Sequence, residues 1–422
     1  MMDAEPSPQT APPPAPPADD FTGSPYWRRN LFVCLFGSFT TIVAMTLLLP
    51  FLPIYVAELG VKTPEAIVQW SGVAFGATFF GAALLSPIWG KLADRYGRKP
   101  ILIRASLGMA ITMSLIGMAQ NVWQLVGLRL LAGLVGGYAS GSIVLIATQT
   151  PKRRSGWALG MLSMGVMAGS LVGPLVGGVL PGLIGVRETF FAAGGMIFLA
   201  FLGTVFFVRE DPQDVIRRRA VRKAAPGGAW SMIPDRRPVF AMLLTALMLM
   251  LATMSIEPII TVYVSQLITD TSKVALIAGF VMSASALGSV LAASRLGKLA
   301  DRVGAWNVVM GCLIATGLLL IPQAFVTSAW QLIVLRFLMG VSLAGLLPSI
   351  ASLIRHSVPV AVVGNILGYS TSAQFAGQVI GPLVGGFVGG QFGMRAVFIT
   401  TSILIFCAAA YNWIASRQVR RT

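Results

Sequence analysis

Glu257, in the segment Ser255-Ile-Glu-Pro258, is the one acidic residue of fifteen that falls deep inside a long apolar run. Removal from water disfavours an ionised carboxylate, so such a group can alternate between holding a proton and holding a cationic compound, the exchange that couples two opposed fluxes. A second reading places Glu257 near the outer end of its run, capping backbone groups that Pro258 frees. Arg129 and Arg336 also fall within apolar runs, where a guanidinium costs roughly 2.5–3.5 kcal/mol at the bilayer centre, so both must turn towards the protein interior or reach back to the surface. No cluster for other chemistry accompanies them. The sole histidine, His356, belongs to a polar loop, and Cys34, Cys312 and Cys407 stand singly in apolar segments, which gives neither a metal site nor a disulfide framework. A phosphate-cradling G-x-x-x-x-G-K-[S/T] loop is missing from the sequence, so the expectation is a chain without cofactor, driven by an ion gradient rather than by ATP.

The elements that hold these residues are built for lipid. The 422 residues are 55% hydrophobic and 11% charged, and the apolar ones come in runs long enough to cross a bilayer as helices. The runs fall near 30–57, 68–89, 100–119, 123–147, 156–180 and 187–208, and again near 238–266, 274–295, 305–326, 330–353, 364–388 and 394–415. This predicts an all-α integral membrane protein of twelve transmembrane helices arranged as two pseudo-symmetric six-helix bundles, residues 29–208 and 238–416. Residues 1–28, Pro-rich and mildly acidic without a basic leader region, read as a disordered cytoplasmic tail, 209–237 as a cytoplasmic linker rich in charge and turn residues, and 417–422 as a second tail. The net charge of +16 follows the loops: Lys62, Arg187, Lys273 and Arg395 fall on one side, while nearly all other Lys and Arg fall on the side of both termini. The basic balance is therefore topology, with no nucleic-acid partner, and puts both termini in the cytoplasm of a cell with the chain in its inner (plasma) membrane.

Two stretches occur twice. Gly90-Lys-Leu-Ala-Asp-Arg-Tyr-Gly returns as Gly297-Lys-Leu-Ala-Asp-Arg-Val-Gly, and Trp123-Gln-Leu-Val-Gly-Leu-Arg129 as Trp330-Gln-Leu-Ile-Val-Leu-Arg336, both at an offset of 207. Gly173-Pro-Leu-Val-Gly-Gly178 returns at 208 as Gly381-Pro-Leu-Val-Gly-Gly386, and Tyr55-Val as Tyr263-Val. Copies an even number of crossings apart share one orientation, which creates a pseudo-two-fold axis along the membrane normal with a substrate site at the interface. The segment from Gly90 to Lys99 resembles the helix 2–3 loop signature of the major facilitator superfamily. The Gly-Pro-x-x-Gly-Gly segment resembles the signature of that superfamily's twelve-helix drug:proton antiporters. Leu49-Pro-Phe-Leu-Pro53-Ile-Tyr55 and Ser155-Gly-Trp-Ala-Leu-Gly160 look most like the MdtG-type multidrug resistance proteins, over residues 28–416.

The resemblance implies a cytoplasmic gate formed by Gly90, Asp94, Arg95, Gly97 and Arg98, with Asp301 and Arg302 in the second copy, and with Asp94 meeting the start of the eleventh span when the protein faces outward. Ala305 and Trp306 stand where the first copy has Arg98 and Lys99, so gating is expected to lean on the first half. Gly169, Gly173, Pro174, Gly177 and Gly178 make a small-residue face with a proline bend, which serves helix packing alone or also controls the outward opening. The family association gives the direction, export, and a part for Arg129 in proton coupling; a structural hydrogen bond is the alternative for both arginines. Candidate walls of an apolar, adaptable pocket are Phe36, Phe39, Met45, Phe75, Phe79, Met254 and Tyr263.

These readings converge on a monomeric, proton-coupled exporter of small amphipathic compounds that works by alternating access, with protons and the lipid bilayer as its other partners. A proton symporter for a nutrient shares the fold but would present a more polar pocket. An intramembrane enzyme lacks a catalytic cluster, and a receptor would have no use for the loop signature. Many of the exporters that the chain resembles carry an acid in the first span, whereas Leu49 occupies the register position of Glu257 in this chain.

Overall fold

A backbone in hydrocarbon must satisfy its hydrogen bonds internally, and the described elements are helices throughout. The computed structural model describes residues 24–210, 233, 236–359 and 362–419, with the side chains of Asp94, Lys152 and 417–419 left aside. Most of the expected N-terminal tail, most of the linker and the end of the C-terminal tail lie outside these residues.

Among the described residues there are fifteen α-helices: α1 Trp27–Thr46, α2 Leu52–Glu58, α3 Pro64–Tyr96, α4 Arg98–Ile116, α5 Val122–Val135, α6 Tyr138–Gln149, α7 Lys152–Ile184, α8 Val186–Phe207, α9 Arg236–Leu267, α10 Val274–Val303, α11 Ala305–Gln323, α12 Ala329–Leu343, α13 Leu346–Ser357, α14 Val363–Phe392 and α15 Met394–Val419. Three of the spans are interrupted. The first breaks between α1 and α2 around Pro50, the fourth between α5 and α6 at Gly136-Gly137, and the tenth between α12 and α13 at Ala344-Gly345. Eleven spans among the described residues are long and apolar enough to cross a membrane. The twelfth, α14, has 30 residues and no charge, but its glycines and amides dilute its hydropathy. Helices α1 to α8 pack mainly among themselves, as do α9 to α15, and the two six-span bundles meet chiefly through α3 against α14 and α7 against α10. The repeat maps each of these contacts onto the other, which is the pseudo-two-fold relation.

The same relation holds for individual side chains. Tyr55 donates to the Ile116 carbonyl (2.6 Å) and stacks obliquely on Phe190, while Tyr263 donates to the Gln323 carbonyl (2.9 Å) and meets Phe398 in the same way. Gly97 and Gly304 end α3 and α10 at φ 99° and 90°, a left-handed backbone that residues with a Cβ rarely adopt and that turns the chain directly into the next helix.

Glycine columns set the distance between neighbours. Gly169, Gly173 and Gly177 of α7 face Phe39, Val43 and the Leu47 backbone along α1, and Gly377, Gly381 and Gly385 of α14 face Leu247, Leu251 and Ser255 along α9. The last glycine of each motif points across to the other bundle: Gly178 meets Ala275 and Leu276 of α10, and Gly386 meets Val68 and Gly72 of α3. Pro174 and Pro382 present carbonyls to Gly279 and Gly72 at the same junctions. The motif therefore does pack helices, and it also forms the contact between halves. Because the obstacle at Gly177 is backbone, Gly177→Leu is expected to cost at least about 1–3 kcal/mol. Thermal unfolding of the purified protein should show a lower midpoint for this variant, and an unchanged one for Gly182→Leu, whose site on α7 is open space.

Candidate functional site

Between the bundles lies a cavity of about 560 Å³, lined by both halves. From the first half come Ile42, Met45, Thr46 and Leu49 on one stripe of α1 and its break, Phe75 and Phe79 from α3, Arg129 from α5, and Val166, Met167, Ser170 and Pro174 from α7. From the second come Leu249, Met250, Thr253, Met254 and Glu257 on one stripe of α9, a run of Met282, Ser285 and Ser289 with neighbouring residues on α10, and Leu347 and Pro348 of α13. Five methionines stand in this wall, and their unbranched, polarisable side chains adapt to varied shapes. One end of the cavity is closed. There Ser283 of α10 donates to the Leu171 carbonyl of α7 (2.8 Å), Thr261 of α9 donates to the Pro50 carbonyl (3.0 Å), and the glycine contacts join α3 to α14. At the opposite end, which carries both copies of the loop signature, a Cβ at Gly90, Gly297, Gly364 or Gly368 would meet no neighbour.

Among the described residues two charged side chains line the cavity, Glu257 and Arg129, and Arg336 lies behind the first. Glu257 and Arg336 form a buried ion pair: Arg336, fully enclosed on α12, donates from Nη2 to Glu257 Oε1 at 3.1 Å and reaches the Met339 sulfur with Nη1. The second carboxylate oxygen, Oε2, is buried without a hydrogen-bond partner. Arg129, the register counterpart of Arg336, is 1% exposed. Its Nε makes a long bond (3.4 Å) to the Ala74 carbonyl, its guanidinium lies 5.5 Å from the Phe75 ring centre, and its Nη1 has no partner. Leu49 stands where an acid would pair it, so Arg129 has no carboxylate among the described residues.

The structure sorts the residues singled out in the sequence. Glu257, Arg129, Met45, Phe75, Phe79 and Met254 meet at the cavity. Phe36, Phe39 and Tyr263 do not. Phe36 lies nine residues from Met45 on α1, about 180° around the helix, and faces outward at 46% exposure. Phe39 packs into the core, and Tyr263 is buried in its bond to Gln323. Among the described residues Glu257 is the one carboxylate of the lining, and Arg336, for which a structural hydrogen bond is one of the alternatives, bonds to it. At the signature end Arg95 is exposed beside Tyr96, Arg98 is half-buried, Asp301 and Arg302 are exposed at the end of α10, and the Asp94 side chain lies outside the described residues.

Two residues escaped the sequence reading. Arg104, counted with the loop charges, lies inside α4, stacks 3.6 Å above Trp89 and donates to the Leu134 and Gly136 carbonyls where α5 breaks. A basic residue one turn inside a predicted span, opposite a Gly-Gly break, was the available signal. Glu210, at the start of the linker, accepts from the backbone N–H groups of Arg98 and Lys99 (2.6 and 2.9 Å), capping the helix that the loop signature leads into. No sequence rule pairs residues 112 positions apart in this way.

Two bundles related by a pseudo-two-fold axis, around one cavity closed at one end, define a membrane transporter, and the chain belongs to the Major Facilitator Superfamily, whose profile matches residues 34–278 and 271–421. Within it, the multidrug resistance protein MdtG of Proteus mirabilis is 42% identical over 395 residues, covering 94% of this chain and 98% of that protein. MdtG of Salmonella typhimurium is 43% identical over 396 residues, 93% and 97% of the two chains. Among solved structures, a bacterial homologue of the lysosomal transporter Spinster, inward-facing and occupied, superposes with a TM-score of 0.75 at 16% identity over 93% of this chain and 97% of its own. The nucleoside transporter NupG gives 0.67 at 13%, over 91% and 99%. These likenesses carry the fold.

Removing one partner of a buried ion pair leaves the other charge uncompensated, at a cost of about 3–5 kcal/mol. Glu257→Gln should therefore lower the unfolding midpoint of the purified protein, and adding Arg336→Met should restore much of the loss. Equal destabilisation by the single and double variants would show that the pair is not the source.

Proposed function

We propose that the chain exports small amphipathic compounds across the inner membrane of a cell in exchange for protons, with Glu257 as the group at which proton and substrate compete. The observation that carries this reading is the ion pair in the cavity wall, with one carboxylate oxygen held by Arg336 and the other unpartnered. When Glu257 is ionised, Oε2 is an acceptor for an ammonium, amide or hydroxyl donor of a ligand. When a proton occupies Oε2, that acceptor is gone. Mutual exclusion of proton and substrate is the condition antiport requires. The apolar, methionine-rich wall suits ligands of varied shape, and the MdtG relatives, named for multidrug resistance, support efflux as the direction.

The excess of Lys and Arg on the loops of the signature end supports placing that end and both termini in the cytoplasm. The arrangement is then inward-facing, and the chain works as a monomer with its pathway inside one molecule. In the outward-facing state the signature ends close on each other. Asp94 docks at the start of α14, where a carboxylate at a helix N-terminus is favoured by about 0.3–1 kcal/mol, and Asp301 docks in the equivalent place on α7. Gly90, Arg95, Gly97, Arg98 and Arg302 shape and charge that closure, while the seal of Gly178 and Gly386 parts. Protons supply the energy and no cofactor takes part.

The test is export of an amphipathic amine dye from cells producing the wild type or Glu257→Gln, with and without a protonophore. Wild-type export should collapse with the gradient, and the variant should export at least about tenfold more slowly, as expected for loss of a charge-assisted contact. Undiminished export by Glu257→Gln would remove the carboxylate from the mechanism.

A further inference from the structure

We infer that the notch between the starts of α1 and α7 binds the phosphate headgroup of an anionic phospholipid. Arg28 of α1 and Arg153 and Arg154 of α7 line it with Trp27 and Pro151, and Trp157 meets the Trp27 ring edge-on at 6.4 Å. The two walls come from distant parts of the chain and are tied together by buried amides: Asn30 donates to Gln149 Oε1 (2.6 Å), and the Ser24 N–H to the Gln149 carbonyl (2.9 Å). All three guanidinium side chains are exposed, and among the described residues no carboxylate pairs with them; Arg28 has the Trp27 ring, 5.4 Å from its centre. Charge that only sets sidedness needs no such construction, and the internal repeat supplies the comparison: at an offset of 208, Trp27, Arg153, Arg154 and Trp157 are answered by Asp235, Ala361, Val362 and Asn365. Converging arginines suit a phosphodiester, which accepts paired charge-assisted hydrogen bonds, and tryptophans favour the level of the headgroups. Beyond the arginines the surface turns apolar. Phe32 and Phe36 follow Arg28 at four-residue steps on α1, exposed at 61% and 46%, while Met164 follows Trp157 on α7, and Gly156 and Gly160 leave open space there. A free phosphate has no use for that surface, whereas acyl chains would lie along it. The chain's own segments fit less well. The linker is itself basic, with Arg217-Arg-Arg and Arg222-Lys223, and the N-terminal tail brings Asp19 and Asp20 with one aromatic residue, Phe21, to cover the stripe.

Native mass spectrometry of the full-length protein in detergent tests this, with dioleoylphosphatidylglycerol and dioleoylphosphatidylcholine as probes that share their chains and differ in headgroup charge. The wild type should retain the phosphatidylglycerol with a dissociation constant at least about tenfold below that of the phosphatidylcholine. Arg153→Gln with Arg154→Gln should abolish this preference, and Arg28→Gln, on the other wall, should reduce it at least about threefold. Arg217→Gln with Arg218→Gln removes the same charge from the linker and should leave the preference intact. A preference that persists in the Arg153 and Arg154 variant would overturn the inference. Equal loss in the notch and linker variants would overturn it in favour of diffuse attraction, and displacement of the bound lipid by millimolar inorganic phosphate would do so in favour of a small anion. A wild type without preference would overturn it as well, and if Asp19→Asn with Asp20→Asn then created one, the tail would be the occupant. No outcome here involves Glu257 or a gradient, so the exchange proposed for the cavity stands or falls separately.

Discussion

Helices immersed in hydrocarbon gain nothing by hiding apolar side chains from one another, because the lipid is as apolar as they are; what holds them is close contact. In this protein that contact is glycine against backbone. The columns on α7 and α14 hold α1 and α9, respectively, at backbone contact, and those two helices carry the cavity stripes, Met45 to Leu49 on one and Met250 to Glu257 on the other. The position of the carboxylate is thus fixed indirectly, by residues with no side chain at all. Pro174 and Pro382 sit within the same columns and face the partner bundle, so one short motif sets both the internal spacing of each half and the seal between halves.

The electrostatics depart from the symmetry that the packing keeps. Backbone contacts, tyrosine bonds and helix-ending glycines recur at offsets of 207 or 208, whereas the acid at 257 has no counterpart at 49. One half of the cavity is therefore internally neutral and the other carries an uncompensated positive charge in an apolar wall. The two halves differ accordingly: a carboxylate paired with an arginine on one side, and an arginine without a carboxylate among the described residues on the other.

The fold was legible because each of its determinants is local in the sequence. Run length gave the spans, and exact repetition of Gly90-Lys-Leu-Ala-Asp-Arg and Gly-Pro-Leu-Val-Gly-Gly the two halves. The site was half legible. Glu257 and Arg129 announced themselves as charges in apolar runs, and Met45, Phe75, Phe79 and Met254 were chosen for the adaptability of methionine and aromatic side chains. The pairing of Glu257 with Arg336 depends on the relative rotation of α9 and α12, which no single-helix pattern encodes. Tyr263 was misassigned because an aromatic near a candidate carboxylate reads as pocket, although its repetition of Tyr55 already marked it as architecture. Phe36 shows the limit of residue type as a guide, since rotation about the helix axis decides between lipid and cavity. Arg104 was counted with the loop charges although it lies one turn inside a predicted span, and its partners are carbonyls of another helix.

The seals at Gly178 and Gly386 have a further mechanical meaning. A contact made by long side chains can stretch, following its partner through several rotamers as the gap widens. Backbone pressed against backbone cannot, and dispersion forfeits a quarter to a half of its strength over a gap of roughly 0.5–1 Å. The two seals lie on opposite sides of the pseudo-two-fold axis, in α7 against α10 and α3 against α14, so tilting one bundle loads both together. The closed end thus behaves as a latch and not as a spring: it resists small displacements stiffly and then releases as a unit, which makes partly opened forms, leaky to ions, short-lived on the way between the two faces of the membrane.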